Sequence, residues 1–455
     1  MRVVFLLFAA VAALSVAVLT AQGQDRRQDQ RQDDAITNLL RQQGDAAKNL
    51  PAAPSSPAPA PLPGPSVGSK PRGPLPMVMS ARIGEHDDRT RLVIELSDPV
   101  NLRAFVLANP DRVVIDMPEV SWRLGAPPRP SGFGSIKSYR YGQFRAGNSR
   151  MVIDLNRPVS LSDTLVLPPS SGFGYRVVID LFPSTRPKFD AQAGWPADLR
   201  KRETDAERLA AMIAADRAPP ARGRTGKKII VIDPGHGGLD SGTVGVNGLM
   251  EKDLVLAQSL KLSRELKSRG YTVYLTRETD TFVPLRQRVA IARADKADLM
   301  ISIHADSNPD PETSGTSIYT LSDGRSDREA AALAKRENQS DIIAGVDLGG
   351  DNNPVAPILI DLAQRDTINK STRFATATLA SMGRVTDILA RKPHRSASLA
   401  VLVAPDVPAV LLELGYLSNR GNAAQMNTDA WRTKVADAIA DAVDQQFTAP
   451  GQARQ

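Results

Sequence analysis

His236, Glu251 and His304 are residue types that bind a divalent cation, and each stands where the sequence pattern ends or begins a regular element. His236 follows Asp233-Pro234-Gly235, and His304 follows the apolar run Leu299-Met300-Ile301-Ser302-Ile303. The chain has only 4 histidines, so two at the ends of apolar runs form a pattern rather than scatter. Two imidazoles and one carboxylate make the ligand set of a catalytic zinc site that leaves its fourth position to water. A third apolar run, Ala409-Val410-Leu411-Leu412, ends in Glu413. An acid at the tip of a buried strand is costly unless it has a partner or a task. Beside a metal site that task is general base. Taken singly, the same residues have plainer readings. A lone histidine after a strand is usually a hydrogen-bonded turn residue, Glu251 is an ordinary first-turn helix acid, and Glu413 could be an ion-pair partner.

The elements that must position these residues are legible. Ile229-Ile230-Val231-Ile232 is a short β-branched run stopped by turn chemistry at Asp233-Pro234-Gly235. Open α/β sheets collect ligands at the carboxyl ends of their strands, and the glycines from 235 to 248 let the backbone stay close to what binds there. Glu251 opens a helix pattern carried by Leu254, Val255, Ala257, Leu260 and Leu266. Tyr271–Arg277 and Thr316–Leu321 read as further strands, Leu285–Ala292 as a helix, and Trp431–Phe447 as a closing helix with one apolar stripe. Strands alternating with helices predict an α/β domain with a mostly parallel sheet and helices on both faces.

Taken together, DPGHGG with its downstream glutamate, SIHAD and LLELGYLSN resemble the zinc-dependent N-acetylmuramoyl-L-alanine amidases of bacterial cell walls, of the amidase-3 type. The resemblance spans about 227–447. It implies one Zn2+ held by His236, Glu251 and His304, Glu413 as catalytic acid/base, and peptidoglycan as substrate. The scissile bond would join the lactyl carbonyl of N-acetylmuramic acid to the L-alanine nitrogen of the stem peptide. Two other classes stand beside this one: a zinc-dependent wall peptidase, and a non-catalytic wall-binding regulator with a degenerate site.

One departure from short family members is an insert from Leu321 to about Lys370. Ser326 is its expected N-cap, opening a helix through Glu329, Ala330, Leu333, Ala334 and Glu337, and a second helix is expected around Ile358–Leu362. In division amidases with such an insert, it covers the zinc until an activator displaces it. The resemblance therefore implies an occluding insert and a LytM-type activator that binds it. Within the insert Glu337, rather than Glu329, is the candidate for the acid that reaches the zinc, with the second helix receiving the activator. A surface helical hairpin with no such role is the plainer alternative.

The remaining chain supplies context. Residues 1–23 read as a secretory signal peptide, with a retained membrane anchor as the alternative, and so place the protein in the periplasm. Residues 24–76 form a Gln- and Pro-rich linker too polar to fold, and 448–455 a tail. Over 77–184 an internal repeat pairs Thr90–Val100 with Ser149–Val159, and Asp111–Met117 with Tyr175–Leu181. Period-2 polarity in duplicated strand pairs predicts an all-β sandwich. It resembles the AMIN domain, which implies targeting to septal peptidoglycan. Arg91, Arg112, Arg150 and Arg176 recur at equivalent positions of the repeat. Residues 185–226 read as a second linker, with a short helix possible over Glu203–Asp216. The 57 basic and 50 acidic side chains give a net charge of +7, compatible with an anionic wall surface, and export excludes nucleic acid. With no cysteine, any metal must bind through nitrogen and oxygen. A monomer is expected. His86 and His394 have no catalytic context, and His394 reads as a surface-turn residue.

Overall fold

The computed structural model describes residues 74–124, 134–145, 147–170, 172–197, 199, 227–322, 326–346 and 362–448. The expected signal peptide, nearly all of the first linker, the Glu203–Asp216 helix, most of the tail and the insert segment Ile358–Asp361 lie outside them. Among the described residues no helix is long and apolar enough to cross a membrane.

The amino-terminal strands are β1 (Met77–Glu85), β2 (Thr90–Leu96), β3 (Arg103–Leu107), β4 (Arg112–Pro118), β5 (Ser121–Trp122), β6 (Ile136–Arg145), β7 (Asn148–Leu155), β8 (Val159–Leu161), β9 (Leu165–Leu167) and β10 (Tyr175–Pro183). They form one sheet in the order β5-β1-β2-β10-β8, with β9 also on β10, and a second in the order β3-β4-β7-β6. Alternate residues of both sheets, among them Ile94, Ile115, Ile153 and Ile179, share one core. The two copies of the repeat are exchanged between the sheets. β2 of the first copy pairs with β10 of the second, and β4 of the first with β7 of the second. This register sets Arg91 opposite Asp180 and Arg150 opposite Asp116. Both pairs close as bidentate ion pairs, with Arg91 Nε and Nη2 2.7 Å from the Asp180 oxygens and Arg150 Nη2 2.7 Å from Asp116 Oδ2. Two of the four recurring arginines thus hold strands together.

The expected linker after residue 184 begins as packed structure. Helix α1 (Arg186–Gln192) buries Phe189 in the sandwich core, a burial worth about 2 kcal/mol. Trp195 and Leu199 are also buried. Apolar side chains this large make the segment part of the domain rather than a tether.

The second sheet system contains β11 (Ile229–Pro234), β12 (Thr272–Leu275), β13 (Leu299–His304), β14 (Ser317–Leu321), β15 (His394–Ala397) and β16 (Ala409–Glu413), in the order β12-β11-β13-β16-β14-β15. β12, β11, β13 and β16 run parallel, and β14 is antiparallel to β16. Side chains alternate across the sheet. Ile230 and Ile232 face a core shared with α2 (Glu251–Ser268), while Val231 and Met300 face one shared with α3 (Leu285–Ala294) and α4 (Arg328–Glu337). A short helix, α5 (Ser340–Ile343), follows α4 directly. Then α6 (Leu362–Met382) packs Phe374, Ala375 and Met382 into the first core, with α8 (Asp429–Phe447) directly beside it and α7 (Arg420–Met426) preceding α8 in the chain. The helix that leaves β11, α2, and the helix that enters the adjacent β13, α3, lie on opposite faces. The carboxyl ends of these two strands therefore open a crevice at the switch point of the sheet.

Two expectations need correction here. The cap of α4 is Asp327, whose carboxylate accepts from Ala330 N at 2.9 Å, rather than Ser326. A carboxylate outranks a hydroxyl there because it also meets the helix dipole and pairs with Arg395 at 3.0 Å. His394 is not in a turn: it lies in β15, with Nε2 3.2 Å from Thr320 Oγ1.

Candidate metal centre

The crevice is built from three strand ends and one helix start. His236 follows β11, His304 ends β13, Glu413 ends β16 beside it, and Glu251 is the first residue of α2. His236 takes a positive φ of 57°, a left-handed turn directly after the strand. That turn is fixed by two buried arginines. Arg288 donates to Pro234 O and His236 O, each at 2.7 Å, and to Asp233 Oδ1 at 2.8 Å. Arg277 donates to Gly235 O at 2.8 Å. Asp233 also accepts from Ser302 Oγ at 2.7 Å, tying β11 to β13. A Cβ on Gly242 would stand 2.6 Å from both Glu251 Oε2 and His236 Cδ2, so only glycine lets the loop close around these ligands.

The ligand atoms converge. Glu251 Oε1 lies 3.1 Å from His236 Nε2 and 3.2 Å from His304 Nδ1. All three residues are buried, and one atom from each falls within 4.8 Å of the others. Atoms bound to one tetrahedral zinc at about 2.0–2.1 Å stand about 3.3 Å apart. The observed spacings match that edge. Moreover, His236 Nε2 is buried without a hydrogen-bond partner, which is unfavourable unless a cation takes its lone pair. The donor set therefore fits a zinc ion.

Surrounding groups hold each ligand in position. Asp240 Oδ2 lies 2.9 Å from His236 Nδ1, fixing the ring so that Nε2 points inward. The two other Glu251 contacts come from backbone amides, Ala305 N to Oε1 at 2.8 Å and Thr243 N to Oε2 at 2.9 Å. Burial opposes the charge of Glu251, yet the neighbouring His236 and His304 imidazoles keep its carboxyl well below the usual range. Burial likewise opposes an imidazolium at 236, but Asp240, Glu251 and Glu337 draw it well above its ordinary pKa. The pocket is thus built to receive positive charge.

Glu413 is fully buried, with Oε2 accepting from Asp306 N at 2.9 Å and Oε1 unpartnered. Burial, with Asp306, Glu251 and Glu337 nearby, pushes its pKa well above the carboxylate range, as suits a proton acceptor.

Glu337, the last residue of α4, enters the same cluster. Its Oε2 lies 3.2 Å from His304 Nδ1 and 3.6 Å from His236 Nε2, so it adjoins the same two imidazoles as Glu251. Burial first, then the neighbouring acids, raise its pKa to about 7. The insert makes further contacts there: Arg336 pairs with Asp306, and Ser340 Oγ bonds Asp240 Oδ2. Glu329, the other candidate, faces outward and pairs with Arg395 at 2.5 Å. Sequence reasoning passed over Asp233, Asp240, Arg277, Arg288 and Asp306. Asp233 was within reach, because it too is an acid at the end of an apolar strand.

Residues 230–445 match the family model for N-acetylmuramoyl-L-alanine amidase, and residues 80–181 the AMIN domain. The chain is 33% identical over 81% of its length, and 89% of the relative's, to N-acetylmuramoyl-L-alanine amidase AmiC of Neisseria meningitidis serogroup B. It is 35% identical over 80% of its length, and 87% of the relative's, to AmiC of Escherichia coli O6:H1. Against AmiA of Escherichia coli K12 the identity is 39% over 50% of the chain and 79% of the relative. This chain thus belongs to the AMIN-containing N-acetylmuramoyl-L-alanine amidases of the cell-division group.

Proposed function

We propose that the chain is an exported zinc amidase of septal peptidoglycan, held inactive by its insert until an activator of the LytM type draws that insert away. The observation that carries this reading is the convergence of His236 Nε2, Glu251 Oε1 and His304 Nδ1, with Glu337 Oε2 at the corner left over. His236, Glu251 and His304 hold the zinc. When bound, the ion acts as Lewis acid and lowers the pKa of water to about 7.

Glu413 Oε1 is the free oxygen of an acid whose other oxygen is anchored, so it can take one proton from the attacking water. The new C–O bond forms at the lactyl carbonyl, the C–N bond breaks, and Glu413 delivers that proton to the departing L-alanine nitrogen. Asp306 N holds Glu413 in place through both transfers. In the resting protein Glu337 excludes substrate from the same position. The apolar leader at residues 3–21 supports export to the periplasm, and the AMIN domain supports delivery to septal wall, where peptidoglycan is the enzyme's substrate. The protein acts as a monomer in this reading.

The test is digestion of purified peptidoglycan by the activated protein, with products read by mass spectrometry. Intact stem peptides released from uncut glycan support the amidase; shortened peptides would make it a wall peptidase.

A further inference from the structure

The insert is gripped from two sides, and one of them is the amino-terminal domain. Four consecutive carbonyls at the end of α5 point onto the outer face of the β3-β4-β7-β6 sheet. Arg112 Nη1 donates to Ile342 O at 2.6 Å, and Arg140 Nε to Ile343 O at 2.5 Å. Arg150 Nη1 reaches Ala344 O at 3.2 Å and Gly345 O at 2.9 Å, and Trp195 Nε1 reaches Gly345 O at 3.3 Å. Ile342 O also accepts from Gly345 N at 3.1 Å, and a carbonyl has two lone pairs, so guanidinium donors can serve this turn's carbonyls as well. These donors are held ready. Arg150 is fixed by its ion pair with Asp116 and lies over the Phe144 ring, 3.6 Å from its centroid.

Packing reinforces the polar grip. Ala344 is fully buried in a cluster with Val114, Val152, Phe144 and Trp195 from the amino-terminal side, and Leu239 and Phe282 from the catalytic side. Gly345 has φ of 69°, and a Cβ there would meet Val152 and Val114 at 3.1 and 3.2 Å. From this seat the chain runs back through Asp341, which caps α3 by accepting from Leu285 N at 2.9 Å, to Ser340 and on to Glu337. So few residues separate the clamp from the blocking acid that one cannot move far while the other is held.

We infer that the outer face of the β3-β4-β7-β6 sheet is an intramolecular clamp that keeps the insert closed over the metal centre. The inference rests on Glu337 being the blocking group. Opening requires the guanidinium contacts at 342–345 to break. A ligand that takes this face therefore favours opening, and opening frees the face for that ligand, by the same factor.

The experiment uses the full chain in five forms: wild type, Gly345→Val, Arg140→Ala, Glu337→Ala, and Glu337→Ala combined with Gly345→Val. Hydrogen exchange over 328–346 and stem-peptide release from peptidoglycan are measured without any activator. Exchange protection of β4 and β7 in the same spectra checks that the amino-terminal domain stays folded. Gly345→Val and Arg140→Ala attack the contact from opposite sides. Each is expected to speed exchange over 340–345 by about tenfold or more and to raise basal release toward the Glu337→Ala level. The double variant should be no faster than Glu337→Ala. Faster exchange with unchanged release, while Glu337→Ala is active, would overturn the clamp and leave the blocking role of Glu337 standing. Glu337→Ala no more active than wild type would remove the blocking role, and the clamp's regulatory meaning with it. Unchanged exchange in both contact variants would show that the face does not hold the insert.

Discussion

Glu337 Oε2 stands as far from His304 Nδ1 as Glu251 Oε1 does, 3.2 Å in both cases. One acid comes from the catalytic sheet's first helix and the other from the insert, and they face each other across the same two imidazoles. In the proposed reading a ligand and an inhibitor thus hold matching places. Removing the inhibitor should leave the ligand set whole. Glu337→Ala is expected to raise basal stem-peptide release by about tenfold or more, as an unfavourable opening step is removed. Zinc content by mass spectrometry should stay at about one per chain.

Asp240 touches no substrate position in this scheme, but it fixes the tautomer and angle of His236 from 2.9 Å. Asp240→Ala should weaken zinc affinity by about 10–100-fold, measured by competition with a chromogenic chelator. His304→Ala, which deletes one of the three proposed ligands, should reduce bound zinc below what either buffer or added metal restores.

Removal of the metal is a separate lever. A strong chelator should abolish hydrolysis and lower the melting temperature of the catalytic domain, because ligands that bind only the folded state stabilise it by mass action. Added zinc should restore both. Activity that survives exhaustive chelation would contradict the assignment of the ligand set.

The exchanged repeat makes a prediction about stability alone. Asp180→Ala leaves Arg91 buried without the carboxylate that it meets at 2.7 Å. Breaking such a pair costs about 3–5 kcal/mol. Chemical denaturation should show that loss in the amino-terminal domain's transition, with the catalytic domain's unchanged.

Much of this architecture could be read from the chain because local chemistry and tertiary role coincide. Ile229–Ile232 and Leu299–Ile303 are buried on both faces, so they read as continuous apolar runs, and the residues just after them, His236 and His304, occupy the sheet edge. The repeat was visible, but its exchange between sheets was not. Pairing of β2 with β10 depends on contacts 89 residues apart, such as that of Arg91 with Asp180. Helix α6 escaped because TATLASM is rich in small and hydroxyl residues, and among its described side chains Phe374, Ala375 and Met382 are the fully buried apolar ones. The groups that fix the site, Arg277, Arg288 and Asp240, carry no local pattern either. A buried arginine is recognisable only once the carbonyls it serves are in place.

The most direct measurement compares wild type and Glu413→Gln, each with Glu337→Ala to open the site, on purified peptidoglycan, with zinc content measured on the same samples. The account predicts free stem peptides and intact glycan from the first. From the second it predicts release lower by about 10²-fold or more, at equal zinc occupancy. Equal release from both would contradict Glu413 as the proton carrier, and zinc bound without any release from either would contradict the catalytic reading of the whole site.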